Sequence, residues 1–473
     1  MTTKLIKADI AIIGAGSGGL SVAAGAAQLG AKVVLFERGA MGGDCLNYGC
    51  VPSKALIAAA NATAAARDAT RFGVTAAGVA IDFSQVMAHV RATIATIEPH
   101  DSQERFEGLG VQVIRESARF ADAKTLVSAT ARVQARKIVI ATGSSARIPD
   151  VPGLGDIPFL TNETIFDLTV LPEQLIVLGG GPIGMELGQA FQRLGSRVTV
   201  VDPGTPLGRE DPAAAQVVLD QVRADGVTLK VGGKVVRVET GPVVVLEGPS
   251  GEERVSGSHL LVAVGRVPSL DGLDLAAAGV TVNDHGIETS DSLRTSNPRV
   301  YAIGDVAGRG QFTHLAGAHA GLLVRRLLFA MPVKAGALVV PRATYTSPEL
   351  AAVGLSEAQA RAGHGDDIRV ERVEFSGNDR ALAEGDTRGF GKLITTRKGK
   401  VLGAVIVGDH AGEQIQLWSL ALSAGIKLSQ IAGMIAPYPT RGEISKRMAG
   451  QWYTAALFSP MTRLLVGVLK RLA

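Results

Sequence analysis

The sequence predicts an α/β protein in which one strand, glycine turn, helix and strand unit occurs twice, each seeding a three-layer domain, with a separate α+β domain at the C-terminus. Three observations predict it. A glycine-patterned turn follows a short apolar run at residue 14, the same arrangement returns at residue 179, and beyond Pro341 the pattern changes to alternating strands followed by helices. A chain of 473 residues is long enough for two to four domains, each with its own core.

The first unit opens with a buried-strand pattern at 8–13 (ADIAII), continues through Gly14-Ala15-Gly16-Ser17-Gly18-Gly19 into an alanine-rich helix, and closes with the strand KVVLFE at 32–37. Gly14, Gly16 and Gly19 have the dinucleotide-binding spacing, which allows a tight turn and brings a pyrophosphate close to a helix N-terminus. Glu37, ending the second strand, is placed to accept a hydrogen bond from a ribose hydroxyl. In the second unit QLIVL at 174–178 leads into Gly179, Gly181 and Gly184, and the following strand ends in Asp202. Both copies set the acid 23 residues after the first glycine. A glycine-rich turn of purely structural use would need neither the strands nor the acid. Two Rossmann-like domains, and two dinucleotides, are the expectation.

Between them, GGDCLNYGCVPSK at 42–54 holds both cysteines of the chain. Residues five apart in an ideal helix have Cα atoms about 8.6 Å apart, beyond the usual disulfide reach of about 7 Å, so this stretch is not regular helix throughout. Pro52 is tolerated only in a first helical turn, and 55–66 is helix-forming. The expectation is therefore a helix beginning near Pro52, with Cys45 in an irregular turn and Cys50 at the helix N-terminus, where the dipole and free N–H groups favour a thiolate. Lys54 adds positive charge. Two inert buried cysteines are the plain alternative; a zinc site lacks its further ligands.

Net charge of +4 is too small for this length to indicate a nucleic-acid surface. A single close cysteine pair fits a reducing, cytoplasmic compartment, where such a pair is catalytic more often than structural. The uncharged run from Ile10 to Ala31 superficially resembles a membrane or signal segment, but its six glycines argue against insertion.

With ATG at 141–143, VGRVP at 264–268, AIGD at 302–305 and SPELAAVG at 347–354, the chain resembles the class I pyridine nucleotide-disulphide oxidoreductases over nearly its whole length, with GGDCLNYGCVPSK as the most specific element. The resemblance implies a homodimer that binds FAD in the first domain and a nicotinamide dinucleotide in the second. Implied boundaries are 1–150 and 271–340 for the FAD domain, 151–270 for the NAD(P) domain and 341–473 for a dimerisation domain. Cys50 would be the charge-transfer thiol against the flavin and Cys45 the interchange thiol facing the acceptor. Lys54 would pair with Glu186 beside the flavin edge, Gly143, Gly304 and Asp305 would serve FAD, and Gly265 would join the second fingerprint at the nicotinamide dinucleotide. Asp202 favours a free ribose hydroxyl and Pro203 stands where NADPH-preferring relatives often carry arginine, so NADH is the expected donor; Arg209 keeps NADPH open.

The chain departs from the family at its C-terminus. Where disulphide-reducing members carry a His-Pro and a glutamate, contributed across the dimer as a base, this sequence has Tyr438-Pro439 and Glu443. A phenol with an ordinary pKa near 10 does not act as a base near neutrality as imidazole does. Tyrosine here is similar to mercuric reductases, where a soft metal ion meets the thiolates, yet the tail has no second cysteine pair. Residues 460–473 are instead apolar and basic, which fits peripheral membrane contact or an extended dimer interface. The expected activity is electron transfer from NAD(P)H through flavin and the Cys45/Cys50 disulfide to a soft metal ion, another electrophile or a disulfide. A redox-sensing flavoprotein acting through a partner is the rival from another class.

Overall fold

A computed structural model of the chain describes residues 4–76, 78–248 and 251–472. The residues fall into two compact units, 1–203 with 229–338, and 204–228 with 339–473.

The first unit carries two parallel sheets. One is ordered 112–114, 33–36, 4–13 and 131–140, with 300–302 also pairing in parallel along the end of 131–140, and with 125–127 and 119–122 added antiparallel. Its first strand, Lys4–Ile13, starts earlier than the 8–13 core of the pattern. Side chains alternate across the sheet. Ile10, Ile12, Val33 and Leu35 pack on Leu20, Ala23 and Leu323 of the covering helices, while Ala11, Ile13, Val34 and Phe36 face Phe120, Leu126 and Ile287. A strand apolar on both faces must be covered on both, which gives the three layers.

The second sheet runs 228–231, 197–202, 174–178, 259–262, with 174–178 parallel to both 197–202 and 259–262. Strand order in each sheet reverses at the strand that feeds a glycine fingerprint, and ligands bind such sheets beyond the carboxyl ends of the strands at that reversal.

The second unit is built on a five-stranded antiparallel sheet, in the order 342–344, 349–354, 401–408, 390–396, 368–374. Trp418, Ile431, Ile444 and Met448 bring the helices between 411 and 457 onto it, and Trp418 also donates its indole N–H to Ser445 at 3.0 Å. The helix Pro212–Ala224 belongs to this unit as well, although the chain segment containing it lies within the 151–270 expected for the NAD(P) domain. Asp211 caps that helix by accepting from the N–H groups of Ala213 and Ala214, and pairs with Lys392 of the sheet at 2.6 Å; both side chains are almost fully buried. No helix among the described residues is long and apolar enough to cross a membrane.

Candidate active site

The two fingerprints have the same geometry. Gly14 and Gly179 sit at φ of +105° and +106°, and a Cβ on either would strike a carbonyl oxygen of the neighbouring strand end, that of Ala141 or Ala263. Only glycine fits such a turn. The third glycines, Gly19 and Gly184, press against the carbonyls of Gly14 and Gly179; of the middle ones, Gly181 faces open space at the helix start and Gly16 has the Gly43 Cα 4.0 Å from where a Cβ would stand. The acids answer each other too. Glu37 accepts from the Ala15 N–H at 2.7 Å and Asp202 from the Gly180 N–H at 2.7 Å, so each carboxylate is held at the mouth of its turn.

At the same edge of the first sheet, Gly143 at φ +69° has open space where a side chain would stand, Gly304 opens a single turn after the strand Val300–Ala302, and Asp305 accepts from Ser144 Oγ at 2.6 Å. Burial raises the Asp305 carboxyl above its usual range. This open glycine-lined cradle fits a dinucleotide such as FAD, and the Gly179 turn, with Gly265 at φ +123° also facing open space, fits a second.

The cysteines sit at the junction of two helices. Cys45 lies within a short helix, Gly43–Asn47, in place of the irregular turn expected for it, and the long helix Cys50–Asp68 begins at Cys50 itself. Positive φ at Gly42 and Gly43 turns the chain into the short helix, and Asn47 ties it down by donating to the Met41 and Gly43 carbonyls. Tyr48 and Gly49 break the helical run, and Pro52 falls in the first turn of the long helix.

The two thiols are electrostatically unequal. A hydrogen bond from Cys45 pulls the Cys50 pKa down to about 6, helped by Thr313, whose Oγ1 is 3.4 Å from the Cys50 sulfur, and by the charge of Lys54. Cys45 moves the other way, raised by the same hydrogen bond, by burial and by the neighbouring anion. At neutral pH the reduced pair is a Cys50 thiolate beside a Cys45 thiol.

Lys54, one turn after Cys50, donates to Glu186 at 2.8 Å; the Glu186 carboxylate is buried, on the helix that starts at the second fingerprint. Arg67 to the Arg193 carbonyl (2.7 Å) and Arg193 to Asn61 (2.6 Å) join the same two helices.

A chain of polar contacts reaches the cysteine helix from the cofactor side. Arg266 donates to the Ser144 carbonyl and Oγ and pairs with Asp44 at 3.0 Å, while Asn162 donates to Asp44 at 2.9 Å. Asp44 thus anchors the short helix that carries Cys45, and its charge opposes the Cys50 thiolate. In Asp44→Asn the opposing charge is gone, so the pH midpoint of the thiolate signature of the reduced enzyme is expected to fall below about 6; a midpoint unchanged or raised would reduce Asp44 to an anchor of the short helix.

Of the residues expected at the site, Cys45, Cys50, Lys54 and Glu186 come together in the first unit. Tyr438 and Glu443 belong to the second. Tyr438 is exposed and donates its hydroxyl to Asp379 at 2.9 Å; that hydrogen bond and the carboxylate charge raise its pKa further. Glu443 opens the helix Glu443–Leu457 and accepts from the Thr440 N–H at 3.4 Å.

Sequence reasoning missed Thr313, Asp44, Arg266, Ser144 and His319. His319 is buried, accepts from the Gly304 N–H at 3.3 Å and has a pKa pushed down to about 4 by burial, so it stays neutral. Asp44 lies inside GGDCLNYGCVPSK, Arg266 inside the VGRVP motif, and Ser144 directly follows the ATG motif; nothing marked Thr313 or His319.

Two dinucleotide cradles joined to an unequal dithiol define a flavin-dependent, nicotinamide-driven oxidoreductase that works through a cysteine pair. The sequence model described as pyridine nucleotide-disulphide oxidoreductase matches residues 8–320, and that of the same family's dimerisation domain matches 340–449. The chain belongs to this family: it is FAD-dependent, uses NAD(P)H, and its C-terminal domain is one through which the family forms homodimers. It is 38% identical over 459 residues to a mercuric reductase of Streptomyces lividans, covering 94% of this chain and 96% of that one. To a dihydrolipoyl dehydrogenase of Bacillus subtilis (strain 168) it is 34% identical over 456 residues, covering 94% and 96%. The Cu(II) complex of the HOCl-induced flavoprotein disulfide reductase RclA from Escherichia coli is a structural match with TM-score 0.84 at 27% identity, covering 93% of this chain and 99% of that one.

Proposed function

We propose that the enzyme takes electrons from NADH and delivers them through the Cys45/Cys50 pair to a soft or borderline metal ion, of which mercuric and cupric ions are the representatives. Relatives named mercuric reductase and a Cu(II) complex of a structural neighbour support the acceptor class. Asp202 at the mouth of the second fingerprint, with no arginine beside it in sequence, supports NADH.

The observation that carries the reading is Tyr438. FAD, when bound, accepts hydride from the nicotinamide and supplies an electron pair to the disulfide. Opening the disulfide leaves Cys50 as the anion and Cys45 protonated. To attack a disulfide, Cys45 must first lose that proton to a base, and the overall reaction, NADH + H⁺ + RSSR → NAD⁺ + 2 RSH, consumes a proton. The phenol at 438, with its pKa raised by Asp379, is a poor acceptor of that proton. A soft cation instead displaces the thiol proton by binding sulfur, and NADH + Hg²⁺ → NAD⁺ + H⁺ + Hg⁰ releases a proton overall; with cupric ion two Cu(II) become two Cu(I).

The test is an acceptor screen with NADH and NADPH against Hg(II), Cu(II), lipoamide and glutathione disulfide. Metal ions are expected to turn over faster than either disulfide, with NADH the better donor. Tyr438→His is expected to raise disulfide turnover about 10²-fold, the usual contribution of a positioned base, and to leave metal reduction little changed. Rapid lipoamide or glutathione turnover by the wild type, unaffected by Tyr438→His, would refute the reading.

A further inference from the structure

The helix Pro460–Leu469 follows the last helix of the C-terminal sheet and has no buried residue. It is nevertheless well formed: Ser459 caps it by accepting from the Thr462 N–H at 3.2 Å. Its apolar side chains are not scattered. Met461, Leu464, Leu465 and Val468 follow the i, i+3, i+4, i+7 spacing of one helical face, and Met461 and Leu464 are 81% and 71% exposed. Leu469 borders that face, Arg463 lies opposite it with Val466 to its side, and Lys470 and Arg471 follow directly at the C-terminal end of the helix. From Ile444 to the end of the chain there is no acidic residue, while five basic ones occur.

We propose that this helix seats the enzyme on an anionic lipid bilayer, lying in the interface with its apolar face among the acyl chains and its basic side chains among the headgroups. At ten residues it is about 15 Å long, half the thickness of a hydrocarbon core, so it lies on a membrane and does not cross it. An apolar face flanked by cations, with no acidic side chain to repel a negative surface, is the arrangement that binds such interfaces. Pairing of two such tails across a twofold axis would set like charges against each other. The match to the family's dimerisation domain ends at residue 449, before this helix begins. The inference goes beyond the redox reading and does not depend on the acceptor.

The test is flotation of the full-length, FAD-loaded enzyme with vesicles of phosphatidylglycerol and phosphatidylcholine, and with phosphatidylcholine alone. Most of the protein is expected to rise with the anionic vesicles and little with the neutral ones, and binding is expected to fall at least tenfold in high salt or in Lys470→Gln/Arg471→Gln. Leu465→Glu/Val468→Glu should abolish flotation while NADH oxidation with the preferred acceptor is unchanged, since neither side chain enters the core. Absence of flotation, binding indifferent to lipid charge, or a Leu465→Glu/Val468→Glu variant that turns the dimer into a monomer in sedimentation velocity would each overturn the proposal, the last in favour of a second copy of the chain.

Discussion

In Cys50→Ser, reduction by NADH is expected to proceed, but delivery to any acceptor should fall by at least about 10³-fold, because no disulfide remains to receive the electron pair. The same variant should lack the long-wavelength absorption of a thiolate against oxidised flavin. Cys45→Ser separates the two thiols. It is expected to lose acceptor turnover to the same extent yet keep that absorption, since Cys50 retains Thr313 and Lys54 as neighbours. Its thiolate is also expected to titrate at a higher pH than in the wild type, where the hydrogen bond from Cys45 is the largest influence holding the Cys50 pKa near 6. In the wild type, therefore, the absorption should persist down to about pH 6 and disappear below it. If Cys50→Ser kept the absorption and Cys45→Ser lost it, the two assignments would have to be exchanged.

The ion pair between Lys54 and Glu186 should respond asymmetrically to removal of its two members. Lys54 is about one-third exposed and Glu186 only 7%, so Lys54→Met removes a countercharge from a carboxylate held out of water, whereas Glu186→Gln leaves an ammonium that can still reach it. Lys54→Met is expected to cost about 2–3 kcal/mol in urea unfolding, below the range for fully buried pairs because Lys54 is partly solvated, and Glu186→Gln less than about 1 kcal/mol. Both should slow reduction by NADH, Lys54→Met by about 10²-fold or more if the ammonium stabilises charge that develops beside the flavin edge. Equal loss of stability in both variants would mean that the pair is a solvated contact. Unchanged stopped-flow reduction in Lys54→Met would remove Lys54 from the electron path.

How far the sequence could be read follows the range of its signals. The two sheets were legible because each fingerprint is a local pattern: a strand, three glycines at fixed offsets, a helix and an acid 23 residues on. The break between the cysteines was legible from helix geometry and Pro52. The short helix holding Cys45 was not, since it depends on left-handed turns at Gly42 and Gly43 and on two Asn47 hydrogen bonds. Lys54 and Glu186 are 132 residues apart and individually ordinary, and only resemblance to a family paired them. The Asp305, Ser144, Arg266 and Asp44 contacts join segments that no periodicity relates. His319, a buried neutral histidine inside an apolar helix, reads from sequence as packing.

The burial of Asp211 against Lys392 bears on how this protein can be taken apart. The chain passes between the two compact units three times, after Pro203, after Thr228 and after Leu338, so neither unit is one continuous stretch of polypeptide. A cut near residue 340 matches the start of the family's dimerisation domain but would strip the buried Lys392 ammonium of its 2.6 Å pairing with Asp211 and leave it with the longer contact to Glu357 at 3.3 Å. An expression fragment meant to represent the C-terminal domain must therefore carry the helix Pro212–Ala224 with it, by fusion or by co-expression, and domain exchange with a relative would have to transplant both pieces together.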